Sequence, residues 1–251
     1  MFILGKRLVS YVLLVIIIAT GYVTTPNNSS VLVWEYSALT DTEISEYNSF
    51  GDSIYIGNTR VSSASSKYNC HSYAWYSQNI GTNNWWMPYA DEYYDDYSYQ
   101  EITDISNVQV GDRIIYLNSN GKNVHSGIVI SLTGATPNGI CGYANCVVVQ
   151  SKWGALGLYN HIGDLCPYTA FYNSAYPEAV SVKFYRLSNH SHVYSYIDFD
   201  DDNYHYKTCS CSTIIVPHTY TLVYAKSNIS QNNVKYFPMY ECVQCGHILI
   251  R

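Results

Sequence analysis

The apolar positions along the chain follow two regimes. From Leu8 to about Val23 they are nearly continuous, broken only by Ser10, Thr20 and Gly21. Further on they come as short β-branched runs between polar turns. Residues 113–117 and 125–132 are rich in Ile and Val and flank Asn118-Ser119-Asn120-Gly121, a turn signal, so they read as paired strands. Residues 146–150 form a third apolar run, and 180–187 alternate as a fourth strand. A helix is predicted over 69–80, with Gly81 where it would stop; its Tyr and Trp give it moderate propensity. Residues 82–101 are aromatic and acidic without a period and read as a loop insertion. One helix followed by antiparallel strands predicts an α+β fold.

The leading apolar run follows Lys6 and Arg7, the order of a positive n-region and an h-region. It is short of the ~20 residues a spanning helix needs. A signal peptide over 1–23 is therefore expected, with Ala19-Thr20-Gly21 a weak cleavage site and export to the cell surface or beyond. Any membrane attachment would come through this segment alone. Residues 24–45, rich in Thr, Asn and Ser after Pro26, read as a linker into a main domain over 46–189. Near Asn189 the pattern breaks: 190–208 are polar with an acidic run at Asp198–Asp202, and a small module over 190–251 is expected.

Composition narrows the partners. Charged residues make up 13% of the chain, against a usual ~25%, while Tyr occurs 28 times. Tyr supplies apolar area with a polar tip and stands in for both. The net charge is −6 and no basic stripe occurs, which excludes nucleic acid as the main partner.

Three segments carry candidate chemistry. Tyr68-Asn69-Cys70-His71-Ser72 puts a Cys at the start of the predicted helix, where free N–H groups and the helix dipole stabilise a thiolate. His125 opens a strand and has the pKa of a general base. Gln150 closes the third apolar run, as a neutral group able to orient His125. His161 is an alternative base or orienting group, placed in a loop on this reading.

In this order, with Val110-Gly111-Asp112 leading into the first strand and His125-Ser126-Gly127-Ile128-Val129 forming the second, the segments resemble the NlpC-type and CHAP-type cysteine peptidases and amidases of bacterial cell walls. The resemblance covers roughly residues 60–187 by motif order. It departs from the family at Asn69-Cys70-His71, where Asp-Cys-Ser is usual, and at Gln150, where His, Asn or an acid is usual. It implies a papain-like core, a nucleophile helix packed on an antiparallel sheet. It also implies hydrolysis of amide bonds in peptidoglycan stem peptides or related peptides, through a Cys70 thioester and without a catalytic cofactor. Tyr68 and His71 are then expected near the oxyanion. Trp85, Trp86 and Trp153 are expected as a substrate wall, with packing of the loop on its own core as the plainer role. An acyltransferase or deamidase on the same Cys-His pair, and a non-catalytic wall-binding module, are the competing functions.

The C-terminal module carries Cys209-Ser210-Cys211 and Cys242-Val243-Gln244-Cys245-Gly246-His247. The second has the C-x-x-C-G form of a zinc knuckle. A structural zinc on Cys209, Cys211, Cys242 and Cys245 is expected, with His218 or His247 as substitute ligands. Disulfides between the pairs are the alternative. Cys141 and Cys146 are near enough in sequence for a small disulfide loop.

Overall fold

The computed structural model describes residues 17–54, 58–135, 144–169, 178–189, 195–197, 203–209, 212–218, 220–230, 233–245 and 247–250. The chain divides into two units, Met1–Ser191 and His192–Arg251.

Unit one opens with a hairpin of β1 (Ile17–Thr24) and β2 (Ser30–Tyr36). The end of the leading apolar run is thus β-strand, and Met1–Ile16 lie outside the described residues. No described helix is long and apolar enough to cross a membrane. Helix α1 (Asp41–Ile54) follows, started by a capping box: the Thr40 hydroxyl accepts from the Glu43 N–H at 3.3 Å, and the Glu43 carboxylate accepts from the Thr40 N–H at 2.8 Å.

The centre is a seven-stranded sheet of β3 (Thr59–Ser62), β4 (Tyr99–Ile102), β5 (Arg113–Leu117), β6 (Asn123–Leu132), β7 (Val147–Lys152), β8 (Leu158–Ile162) and β9 (Ser181–Leu187). Its order is β3-β8-β7-β6-β5-β9-β4, and each neighbouring pair is antiparallel. Both faces are covered, which explains the continuous rather than alternating apolar runs. One face buries Ile114, Tyr116, Val129, Val147, Val149 and Tyr159 in a core shared with Tyr47 of α1. The other buries Arg113, Ile115, Ser126, Ile128, Gln150 and Lys152. The Gly of the His-Ser-Gly motif is a packing requirement, since a Cβ at Gly127 would lie 2.4 Å from Val149 Cγ1.

The expected α+β, papain-like core with a nucleophile-bearing helix is not what forms: the protein is mostly β. The predicted helix over 69–80 shrinks to one turn from Cys70, with π-helical geometry over Ser72–Tyr76. Its aromatic residues lose rotamer freedom in a helix. Its last carbonyls are instead taken by side chains, Arg113 Nε reaching Ala74 O at 2.7 Å and Gln78 donating to Tyr73 O. Ser77 then turns extended. The turn still packs on β6 and β7, but the full helix against the sheet is α1, through Tyr47 and Gly51, and it carries no cysteine. The stretch 82–101, read as loop, contributes a helical turn α2 (Glu92–Asp95) and the start of edge strand β4.

Unit two holds two three-stranded antiparallel sheets. One contains β10 (Ser195–Ile197), β11 (Tyr204–Cys209) and β12 (Ser212–Pro217). The other contains β13 (Tyr220–Ser230), β14 (Asn233–Cys242) and β15 (Ile248–Ile250).

Candidate functional site

Asn69 shapes the Cys70 turn. Its side-chain oxygen accepts from the Ser72 N–H at 3.1 Å, as an N-cap does, and from the Met87 N–H at 3.1 Å. Its amide nitrogen donates to Met87 O at 2.7 Å, tying the turn to the following loop. Cys70 is 4% exposed. Burial pushes its thiol up to about 11, while main-chain N–H groups of Ser126 and His71 and the Lys152 ammonium act in the opposite direction. A single turn has little macrodipole, so these local donors and Lys152 are what oppose the burial, without overcoming it.

Ser126 follows His125 on β6, and the ladder with β7 begins only at Ile128↔Gln150. The Cys70 sulfur therefore meets the sheet where those two strands are not yet paired. The Ser126 hydroxyl is a hub: it contacts His71 Nδ1 at 2.9 Å, Trp75 Nε1 at 3.0 Å and Asn123 Nδ2 at 3.2 Å. Trp and Asn donate and fill both lone pairs, so the hydroxyl proton goes to His71 Nδ1. Burial holds the His71 imidazole down to about 4, so it is neutral.

His125 projects to the other face. Its Nε2 lies 3.0 Å from Ser151 Oγ, and the same oxygen lies 2.8 Å from His161 Nε2 and 3.1 Å from Trp153 Nε1. Proton bookkeeping fixes the tautomers. His161 Nδ1 lies 2.8 Å from the Ile162 carbonyl, which only accepts, so Nδ1 carries the proton and Nε2 is bare. The Ser151 hydroxyl must donate to that Nε2. Its lone pairs then accept from Trp153 and from His125 Nε2–H. His125 Nδ1 is left as a bare lone pair, buried and without a hydrogen-bond partner. Burial lowers both pKa values, to about 4 for His161 and well below the usual range for His125, so both rings are neutral.

Tyr168 links the two faces. Its ring stacks on His125 with centroids 4.1 Å apart, and it lies within electrostatic range of Cys70. Lys152 is fully buried, its Nζ donating to the carbonyls of Ser65 at 2.8 Å, Gly154 at 2.6 Å and Leu156. Burial brings it down to about 7, opposed by the charge of Cys70. Three acceptors for three ammonium protons favour the charged form, within electrostatic range of Cys70.

The other predicted residues separate. Gln150 does not touch His125: it accepts from the Tyr73 hydroxyl and donates to Asn160 at 2.8 Å, on the opposite face. The orienting group is Ser151, one residue on, with His161 behind it on strand β8 rather than in a loop. Tyr68 is buried under Lys152, with Nζ 5.1 Å from its ring centre. Trp86 pairs through its backbone with Trp34 of β2 and sets its ring against Tyr36 at 5.2 Å. Trp85 lies against Gly21 of β1. Both tryptophans pack the hairpin. Trp153 is core, stacked on Tyr159 at 4.1 Å.

In unit two, the Cys242 and Cys245 sulfurs are gathered with His205 and His218. The Cys209 side chain and Cys211 lie outside the described residues, as does Cys141; Cys146 is a free thiol. Comparison with known proteins finds no matching family model, no matching curated protein and no matching solved structure.

Proposed function

We propose that the chain is a cysteine hydrolase of amide bonds, with Cys70 as nucleophile and His125 as general base. The observation that carries this is the bare Nδ1 of His125, whose other nitrogen is committed to Ser151; Cys70 Sγ makes no hydrogen bond to it in this state, so the pair has to close as substrate binds before the proton can move. A neutral imidazole held in one tautomer with a free lone pair is a base ready to take a proton. Because burial raises the Cys70 thiol to about 11, the resting pair is thiol and imidazole, and the proton moves as the sulfur attacks. The sulfur–carbon bond forms, the carbon–nitrogen bond breaks, and His125 returns the proton to the departing amine. Water, deprotonated by His125, then cleaves the thioester. Lys152 and the Ser126 N–H stabilise the thiolate. Peptidoglycan stem peptides or related peptides are the substrate class, on the family resemblance.

Incubation of the purified chain with peptidoglycan and with short peptides should release new amino groups, and Cys70→Ala should release none. Full turnover by Cys70→Ala would overturn the assignment. A second reading has one observation in its favour: Cys70 and His125 are 4% and 0% exposed, as expected of a buried polar core in a binding module without chemistry. Binding to peptidoglycan without amine release, with Cys70 inert to iodoacetamide, would establish that reading instead.

A further inference from the structure

We infer that unit two binds a single zinc ion through His205 Nδ1, His218 Nδ1, Cys242 Sγ and Cys245 Sγ. Their ligand atoms all lie within 4.8 Å of one another. The separations match the edges of one coordination tetrahedron. Bonds of ~2.05 Å to nitrogen and ~2.3 Å to sulfur give edges of about 3.3 Å for N···N and about 3.6 Å for S···N. His205 Nδ1 and His218 Nδ1 are 3.0 Å apart, Cys242 Sγ and His205 Nδ1 3.4 Å, and Cys245 Sγ and His218 Nδ1 3.5 Å. A two-iron cluster, with the thiolates on one iron and the imidazoles on the other, would hold sulfur and nitrogen further apart.

The fold aims the ligands. His205 stands near the start of β11 and His218 just past the end of β12, which are antiparallel neighbours, so both come to one end of their sheet. The His218 N–H closes that end on Asn203 O at 2.9 Å. Cys242 ends β14 and Cys245 sits in the turn before β15, closed by the Cys242 N–H on His247 O at 2.9 Å. Each of the two sheets of unit two thus supplies two ligands, and the ion joins them.

Unit two has reason to need it. It is a segment of about sixty residues, a size at which small domains commonly rely on a metal or disulfides to fold. Four protein ligands leave no open position, and two thiolates neutralise the ion, so the role is structural. His247 stacks on His218 at 4.9 Å and orients its ring. An ion whose four positions are filled by these residues has no place left for Cys209 or Cys211.

The test titrates the reduced, chelator-treated full-length chain with Co²⁺ and then Zn²⁺. About one Co²⁺ per chain should bind, with tetrahedral ligand-field bands and thiolate charge-transfer absorption, and Zn²⁺ should displace it. Cys242→Ser and Cys245→Ser should lose the complex; Cys209→Ser and Cys211→Ser should keep it. Should His205→Ala fail to fold, His218→Cys still decides: it should retain cobalt and raise the charge-transfer intensity about one and a half times, as a third Co–S bond adds to two. Absence of Co²⁺ binding by the full-length chain, loss of binding in Cys209→Ser, or an unchanged His218→Cys spectrum would each overturn the site.

Discussion

Ser126 and Ser151 sit on opposite faces of the central sheet, and each gathers an indole N–H and an imidazole around one hydroxyl. They differ in what is left over. Around Ser126 the partners are His71, Trp75 and Asn123, and the serine proton saturates His71 Nδ1. Around Ser151 a second imidazole replaces the amide, the serine proton goes to His161, and His125 keeps an unused lone pair. Similar parts therefore yield a closed knot on one face and an imidazole with one unused lone pair on the other. The count of donors and acceptors tells the two histidines apart, where burial alone does not.

Acid attacks what the two hubs share. His71 and His161 are neutral in the folded chain, held down to about 4, against about 6.5 when unfolded. As pH falls from 6.5 to 4 the unfolded state takes up protons that the folded state refuses. Stability is thus complete above pH 6.5 and is lost as pH falls toward 4, at up to about 1.4 kcal/mol per pH unit for each histidine. All 5 tryptophans lie in unit one, so urea titrations followed by Trp fluorescence report on it alone. The midpoint should fall steeply across that window, and a flat profile would show that these rings are already protonated.

Activity separates the hubs. His125→Ala should slow turnover by roughly 10²–10⁴-fold, the range of a lost general base. His71→Leu should spare most activity while lowering the melting temperature, since it strips the Ser126 hydroxyl of its acceptor. Equal kinetic loss from the two would erase the distinction drawn from their tautomers.

Strands β5, β6 and β9 were legible because their Ile and Val runs are continuous and a strong turn joins β5 to β6. Strands β3, β4 and β8 were not: Thr-Arg-Val-Ser, Tyr-Gln-Glu-Ile and Leu-Tyr-Asn-His-Ile mix polar and apolar residues, and distant partners recruit them. The helix over 69–80 failed because Arg113 and Gln78 take its carbonyls, a tertiary effect no local pattern announces. Cys70 and His125 stood out by residue type and motif order. The orienting residue was missed by one position, and on a pleated strand one position is the opposite face. In unit two the Cys-x-x-Cys-Gly knuckle and His218 were visible, but His205 lies in a Tyr-rich strand without any metal-binding spacing around it.

That one-residue shift gives the smallest and sharpest test. If Ser151 holds His125, Ser151→Ala removes the acceptor for Nε2–H and frees the ring to adopt the wrong tautomer. The loss should be smaller than the ~10⁴ that follows removal of a charged triad member, because a hydroxyl orients without stabilising an imidazolium. A fall in kcat of roughly 10- to 100-fold, with KM little changed, is expected. Ser151→Thr keeps the hydroxyl and should recover most of the rate, which a merely structural role would not predict, since the added methyl crowds a filled core. Gln150→Ala should stay within about threefold in kcat, because its amide serves Tyr73 and Asn160 on the other face. A dead Gln150→Ala beside an active Ser151→Ala would reverse the facing of β7 and take the base assignment with it.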